Sequence, residues 1–240
     1  MRITYLAHSG FMVASDEVVM VFDYSHDPAH KVIKYLEEHP DVPVIFFASN
    51  DRPGHFNHEI FNLAQNHKRV YVLSNDIRSL DGNSDLPVQG MSAGDAIEDL
   101  PGGVSVKAYA STDKGVTFAV RTASGSTLFH GGDLSICNYD DQDSPRLEAK
   151  DENLFHTVIN RIASENKAFD VVFFPVDVRL GKDFAAGAAA MIETVHTAHF
   201  FPMHFDGDYT LACDFGVYPF HQNVDTTFHC LHRPGESVTI

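Results

Sequence analysis

The sequence predicts a mixed α and β fold, and three observations carry that reading. Unbroken apolar runs, Val44-Ile45-Phe46-Phe47 and Val171-Val172-Phe173-Phe174, have the length of strands covered on both faces. The stretch Val104-Ser105-Val106-Lys107-Ala108-Tyr109 alternates with the period of a half-covered strand. Groups of such strands are followed by helix-like segments, twice along the chain. With 240 residues and 44% hydrophobic content, the chain can build a substantial core.

Taken in order, Ile3-Thr4-Tyr5-Leu6 and Val18-Val19-Met20-Val21-Phe22 are expected as paired strands, with Phe11-Met12-Val13 between them. A turn is expected at Ala7-His8-Ser9-Gly10, and Asp23-Tyr24 closes the third run. Val32, Ile33, Tyr35 and Leu36 give residues 29–38 the apolar face of a helix, and Pro40 and Pro43 part it from the next strand. After His55, Ile60, Phe61 and Ala64 predict another helix, leading to the strand Arg69-Val70-Tyr71-Val72-Leu73. Residues 74–103, rich in Ser, Asp, Gly and Asn, read as turns around short strands. Strands are expected at 104–109, 116–120 and, past a hairpin turn at Ser124-Gly125, 127–130. Helices at 151–166 and 184–195 flank the strand 171–174, and a last strand runs from His199 to Pro202. No repeat, low-complexity tract or boundary interrupts residues 1–240, which read as a single domain.

Acidic residues outnumber basic ones by 33 to 17, a formal charge of −16. That balance opposes a nucleic-acid partner, which wants a basic face. No apolar run approaches membrane-spanning length and the first residues carry no secretion signal, so a soluble, cytoplasmic protein with no membrane partner is expected. Cys137, Cys213 and Cys230 lack C-x-x-C spacing and are expected as reduced thiols, neither a disulfide framework nor a zinc site.

The residues capable of chemistry gather at predicted strand ends. The longest such stretch, residues 46–61, is FFASNDRPGHFNHEIF. Its Ser49, His55, Phe56 and Asn57 match the metal-binding loop of the metallo-β-lactamase superfamily, S-H-x-H-x-D-H followed by F-N. Asn50 and Arg52 stand where the first two histidines belong, and Gly54 stands where the aspartate belongs. The opening ITYLAHSGFMV…VFDY resembles the branch of that superfamily similar to L-ascorbate-6-phosphate lactonase. STDKGV at 111–116, FHGGDL at 129–134 and FPMHF at 201–205 resemble its later motifs, in the expected order. PVDVR at 175–179 looks like a segment of the same branch, with Asp177 and Arg179 expected as a structural ion pair.

The resemblance implies an α+β fold, a metallo-β-lactamase-like αββα four-layer sandwich. It also implies a damaged site. Asn50 is a weak oxygen ligand and Arg52 has no acceptor, so the usual first metal position should be empty. His55, Asp133 and His204 remain of the second. Two imidazoles and a carboxylate suit one divalent metal, zinc foremost, with iron or manganese compatible. Asp113, the strong ligand type in STDKGV, is the candidate base, assisted at most by Ser111 or Thr112. Arg52 would orient an anionic substrate or stabilise developing negative charge. The competing expectation makes these residues relics, with Arg52 filling the lost metal's volume and pairing with Asp133 or Asp113. His8 either faces the site or satisfies its own turn. Two functions stay open: a metal-dependent hydrolase of a small anionic ester, lactone or phosphoester, and a non-catalytic protein that binds a small metabolite or partner in the old cleft.

Overall fold

The described residues of the computed structural model, 1–78, 80, 85–136, 145–205, 207–215 and 225–240, form two seven-stranded sheets. The first holds β1 (Arg2–Tyr5), β2 (Phe11–Ala14), β3 (Val19–Phe22), β4 (Val44–Ala48), β5 (Arg69–Ser74) and β6 (Val88–Met91) in that spatial order. The second runs β7 (Ala96–Leu100), β8 (Val104–Ala110), β9 (Val116–Arg121), β10 (Thr127–His130), β11 (Ala168–Pro175), β12 (His196–Met203) and β13 (Thr227–Phe228). The terminal strand β14 (Ser237–Thr239) returns to pair with β1, so the two chain ends close one edge of the first sheet.

Side-chain alternation explains the layers. In β4, Ile45 and Phe47 point into the space between the sheets while Val44, Phe46 and Ala48 point outward. The outward set is covered by α1 (Lys31–Glu38), through Val32 and Leu36. In β11, Val171 and Phe173 face inward, and Val172 and Phe174 meet α2 (Pro145–Glu165) and α3 (Ala186–Thr194) through Phe155, Ile159 and Met191. Both strands lie between parallel neighbours and are buried on both faces, which is why their apolar runs are unbroken. The order of layers is helix, sheet, sheet, helix. Among the described residues, no helix is long and apolar enough to cross a membrane.

Two expectations need correction. After His55 the chain makes one 3-10 turn, His58–Phe61, rather than a helix. The Asn57 side chain accepts from the Glu59 amide and nucleates that turn, but Ala64 lies at φ 54, outside the conformation that would continue it. The turn still buries Ile60 and Phe61 on the outer face of the first sheet.

The second correction concerns the cysteines. Cys213, in the short helix α4 (Tyr209–Asp214), forms a disulfide with Cys230, their Cα atoms 4.8 Å apart across a sequence separation of 17. Spacing along the chain hides this, because β13 carries Cys230 back beside α4. Cys137 lies outside the described residues. Unreduced, denatured protein should therefore show one thiol to a thiol-specific dye out of three cysteines; three reactive thiols would contradict the pairing.

Candidate functional site

Four strand ends and one turn converge on a single point. Asp23 follows β3, the loop 49–57 follows β4, Gly131-Gly132-Asp133 follows β10, and His204 follows β12. His8 comes from the turn between β1 and β2, where its carbonyl accepts from the His204 amide at 3.3 Å. Among the described residues, six non-glycines have left-handed backbone, and three of these, His8 (φ 51), Asp23 (φ 44) and His204 (φ 67), lie here. Such conformations cost of order 1 kcal/mol or more and gather where a site demands a particular side-chain direction.

Asp23 anchors the loop. Its fully buried carboxylate accepts from the Ser49 amide and the Ser49 hydroxyl, both at 2.7 Å, and from His55 Nδ1 at 2.6 Å. Gly132 lets the Asp133 turn reach this anchor, because at its φ of 51 an added Cβ would stand 2.9 Å from both Ser49 Cβ and Oγ.

At the centre, His55 Nε2 lies 2.9 Å and His204 Nε2 3.2 Å from Asp133 Oδ1, and the two Nε2 atoms are 3.0 Å apart. Each ring is held from behind. His55 Nδ1 donates to Asp23, and His204 Nδ1 donates to Asp177 Oδ2 at 3.2 Å. The other Asp133 oxygen, Oδ2, is occupied on the opposite side by Asn50 Nδ2 at 3.0 Å and Arg52 Nη1 at 3.1 Å. Arg52 also grips Asp113 with both terminal nitrogens, Nη2 reaching Oδ1 at 3.0 Å. An amide and a guanidinium thus fill the space beside Asp133 Oδ2, and His55 and His204 meet at Oδ1 on the other side.

Burial opposes charge on Asp133, His55 and Asp177, and their neighbours decide which charges survive. Desolvation would raise the Asp133 carboxyl, yet the bonds from His204 and His55 hold it far below the usual carboxylate range. Desolvation would lower His55, but Asp23 and Asp133 push it up to about 10. Asp177, bound by His204 and by Arg179 Nε at 2.9 and 3.0 Å, is also held low against its burial. Asp177 thus pairs with Arg179 and at the same time sets the orientation of His204. Four carboxylates (Asp23, Asp113, Asp133, Asp177) face two guanidiniums (Arg52, Arg179), leaving two negative charges for histidine protons or a divalent cation to match.

His8 faces the site: its ring centroid lies 4.2 Å from that of His204 and 5.5 Å from that of His55. Its position before a strand was visible in the sequence, but the direction depends on a left-handed backbone that sequence does not reveal. Thr112 has a different job, donating to the Ser135 carbonyl and accepting from the Ser135 amide, so it ties two loops together rather than assisting Asp113. The cleft above the centre has a volume of about 490 Å³, with His8, His55, Asp133 and His204 in its lining and Arg52 and Arg179 beside them.

No protein-family model matches the chain, and no curated protein matches it by sequence. Solved structures do resemble it. Igni18, a metallo hydrolase from the archaeon Ignicoccus hospitalis, superposes with a TM-score of 0.67 at 14% identity, over 99% of this chain and 97% of that one. A possible metal-dependent hydrolase from Veillonella parvula gives 0.65 at 9% identity, over 100% and 99%. The metallo-β-lactamase fold protein YhfI from Bacillus subtilis gives 0.62 at 10% identity, over 99% of both chains.

Proposed function

The chain has the metallo-β-lactamase fold, and on that premise we propose a metal-dependent hydrolase with one divalent cation held by His55, Asp133 and His204. The division of Asp133 carries this reading: Oδ2 is capped by Asn50 and Arg52, while Oδ1 faces two imidazole Nε2 atoms. The three donor atoms are 2.9–3.2 Å apart. That approaches the roughly 3.3 Å edge of a tetrahedron with metal–ligand bonds of ~2.0–2.1 Å. The set suits zinc first, with iron and manganese also compatible. Bound there, such a cation supplies Lewis-acid polarisation and water activation near neutral pH.

The chain's own residues do the rest. Asp23 and Asp177 fix both rings through Nδ1, which leaves each Nε2 directed at the centre. Arg52 and Arg179 border the cleft, and Arg179 keeps 47% of its side chain exposed there. Two guanidiniums around a small cleft suit an anionic group, so a small anionic ester, lactone or phosphoester is the substrate class. The resemblance to the sugar-lactone-phosphate branch points the same way by analogy alone. Asp113, the base expected from sequence, is engaged by both terminal nitrogens of Arg52, and in this reading it holds that arginine in place.

Arg52 also favours a second reading. By bridging Asp113 and Asp133 it does what a lost cation would have done, which fits a cleft kept for binding rather than catalysis. Turnover separates the two. Zinc-, iron- or manganese-supplemented protein should hydrolyse members of a panel of p-nitrophenyl esters, phosphoesters and sugar lactones. Metal held at full stoichiometry with no turnover of any class would favour the binding protein.

A further inference from the structure

We infer that His8 is a third imidazole ligand of this centre, seated in space that only the absence of a side chain at residue 54 makes available. The inference rests on the mononuclear reading above and names a ligand outside the three expected ones. The donor atoms of His8, His55 and His204 all lie within 4.8 Å of one another. The His8 ring packs against that of His204 and meets the His55 ring nearly edge-on, at 88°.

Gly54 is the reason the ring fits. A Cβ built at residue 54 would lie 2.5 Å from His8 Cδ2 and 2.7 Å from His8 Nε2, closer than real Cβ contacts. The backbone at Gly54 is not left-handed, so its requirement for glycine is one of space rather than conformation. The two positions are thus complementary: a side chain at 54 expels the His8 ring from the centre, and glycine admits it. His8 also accepts a left-handed φ of 51 while its carbonyl is bonded to the His204 amide, so the turn is locked to a ligand-bearing strand end. A histidine serving only its own turn would gain nothing from that strain.

The test is a double-mutant cycle read by metal affinity, using Zn²⁺ alone in competition with a chromophoric chelator and Co²⁺ visible absorption as a second readout. His8→Asn is the first variant, because asparagine tolerates left-handed backbone and cannot reach the centre. Gly54→Asp is the second, since its carboxylate would displace the ring and take over as ligand. In the chain that keeps Gly54, His8→Asn should weaken zinc at least as much as the about 10–100-fold lost with a ligand's supporting partner, and alter the cobalt spectrum. In the Gly54→Asp background the same change should cost less than about threefold, because the ring has already been displaced. Zinc affinity unchanged by His8→Asn, or equal losses in both backgrounds, would overturn the inference. His204→Ala, run alongside, separates the failures. If it loses zinc while His8→Asn keeps it, only the role of His8 falls; if wild type holds no zinc at all, the mononuclear reading falls with it.

Discussion

His204→Ala should produce a folded chain that no longer retains metal and has no metal-dependent turnover above background. It deletes one of the two imidazoles that meet Asp133 Oδ1, and a site with so few strong donors does not survive such a loss. The fold should tolerate the change, because Asp177 keeps Arg179 and no buried charge is left alone. Alanine at a φ of 67 should cost under about 1 kcal/mol more, because histidine already bears that left-handed backbone and is only several-fold commoner there. His204→Asn, better suited to that backbone, should lose the metal without most of that cost. Circular dichroism and elemental analysis of the same samples would check both halves. Metal content equal to wild type in either variant would remove His204 from the site.

Asp23→Ala should have the largest effect on stability, a loss of about 3–5 kcal/mol. The change removes the acceptor of three buried donors, the Ser49 amide, the Ser49 hydroxyl and His55 Nδ1, and leaves the last two only their 3.2 Å contact with each other. It also frees the loop that carries Asn50, Arg52 and His55, so metal affinity should fall with stability although Asp23 does not face the centre. Asp23→Asn keeps the volume and can satisfy part of the Ser49 pairing, so its loss should be intermediate. Urea unfolding with an unchanged m-value is the measurement. An alanine variant within about 1 kcal/mol of wild type would show that the anchor is not needed.

Much of this architecture is written locally. The apolar runs in β4 and β11 announce strands covered on both faces, and the alternation in β8 announces a sheet with two unlike sides. The pairing of Arg52 is equally legible, since a permanent cation beside strand ends that carry Asp113 and Asp133 is expected to meet them, and it does. What escapes the sequence depends on contacts between distant segments. His8 turns inward on a left-handed backbone, into space that a side chain at residue 54, 46 positions away in the chain numbering, would occupy. The partners of Asp23 and Asp177 are set by strand register, and each serves a histidine from another strand end. The Cys213–Cys230 bond depends on the path of β13 and has no motif. Helical periodicity after His55 misleads because one 3-10 turn on a covered sheet buries Ile60 and Phe61 as well as a helix would.

Metal stoichiometry tests the central claim most directly. Chain purified without chelator, supplemented with zinc and freed of loose ions by gel filtration should carry about one ion per molecule, and His204→Ala prepared in parallel should carry almost none. Wild-type protein with near-zero metal after zinc, iron and manganese have each been offered would contradict the account. Arg52 and the histidine protons would then be the whole of the charge compensation at Asp133.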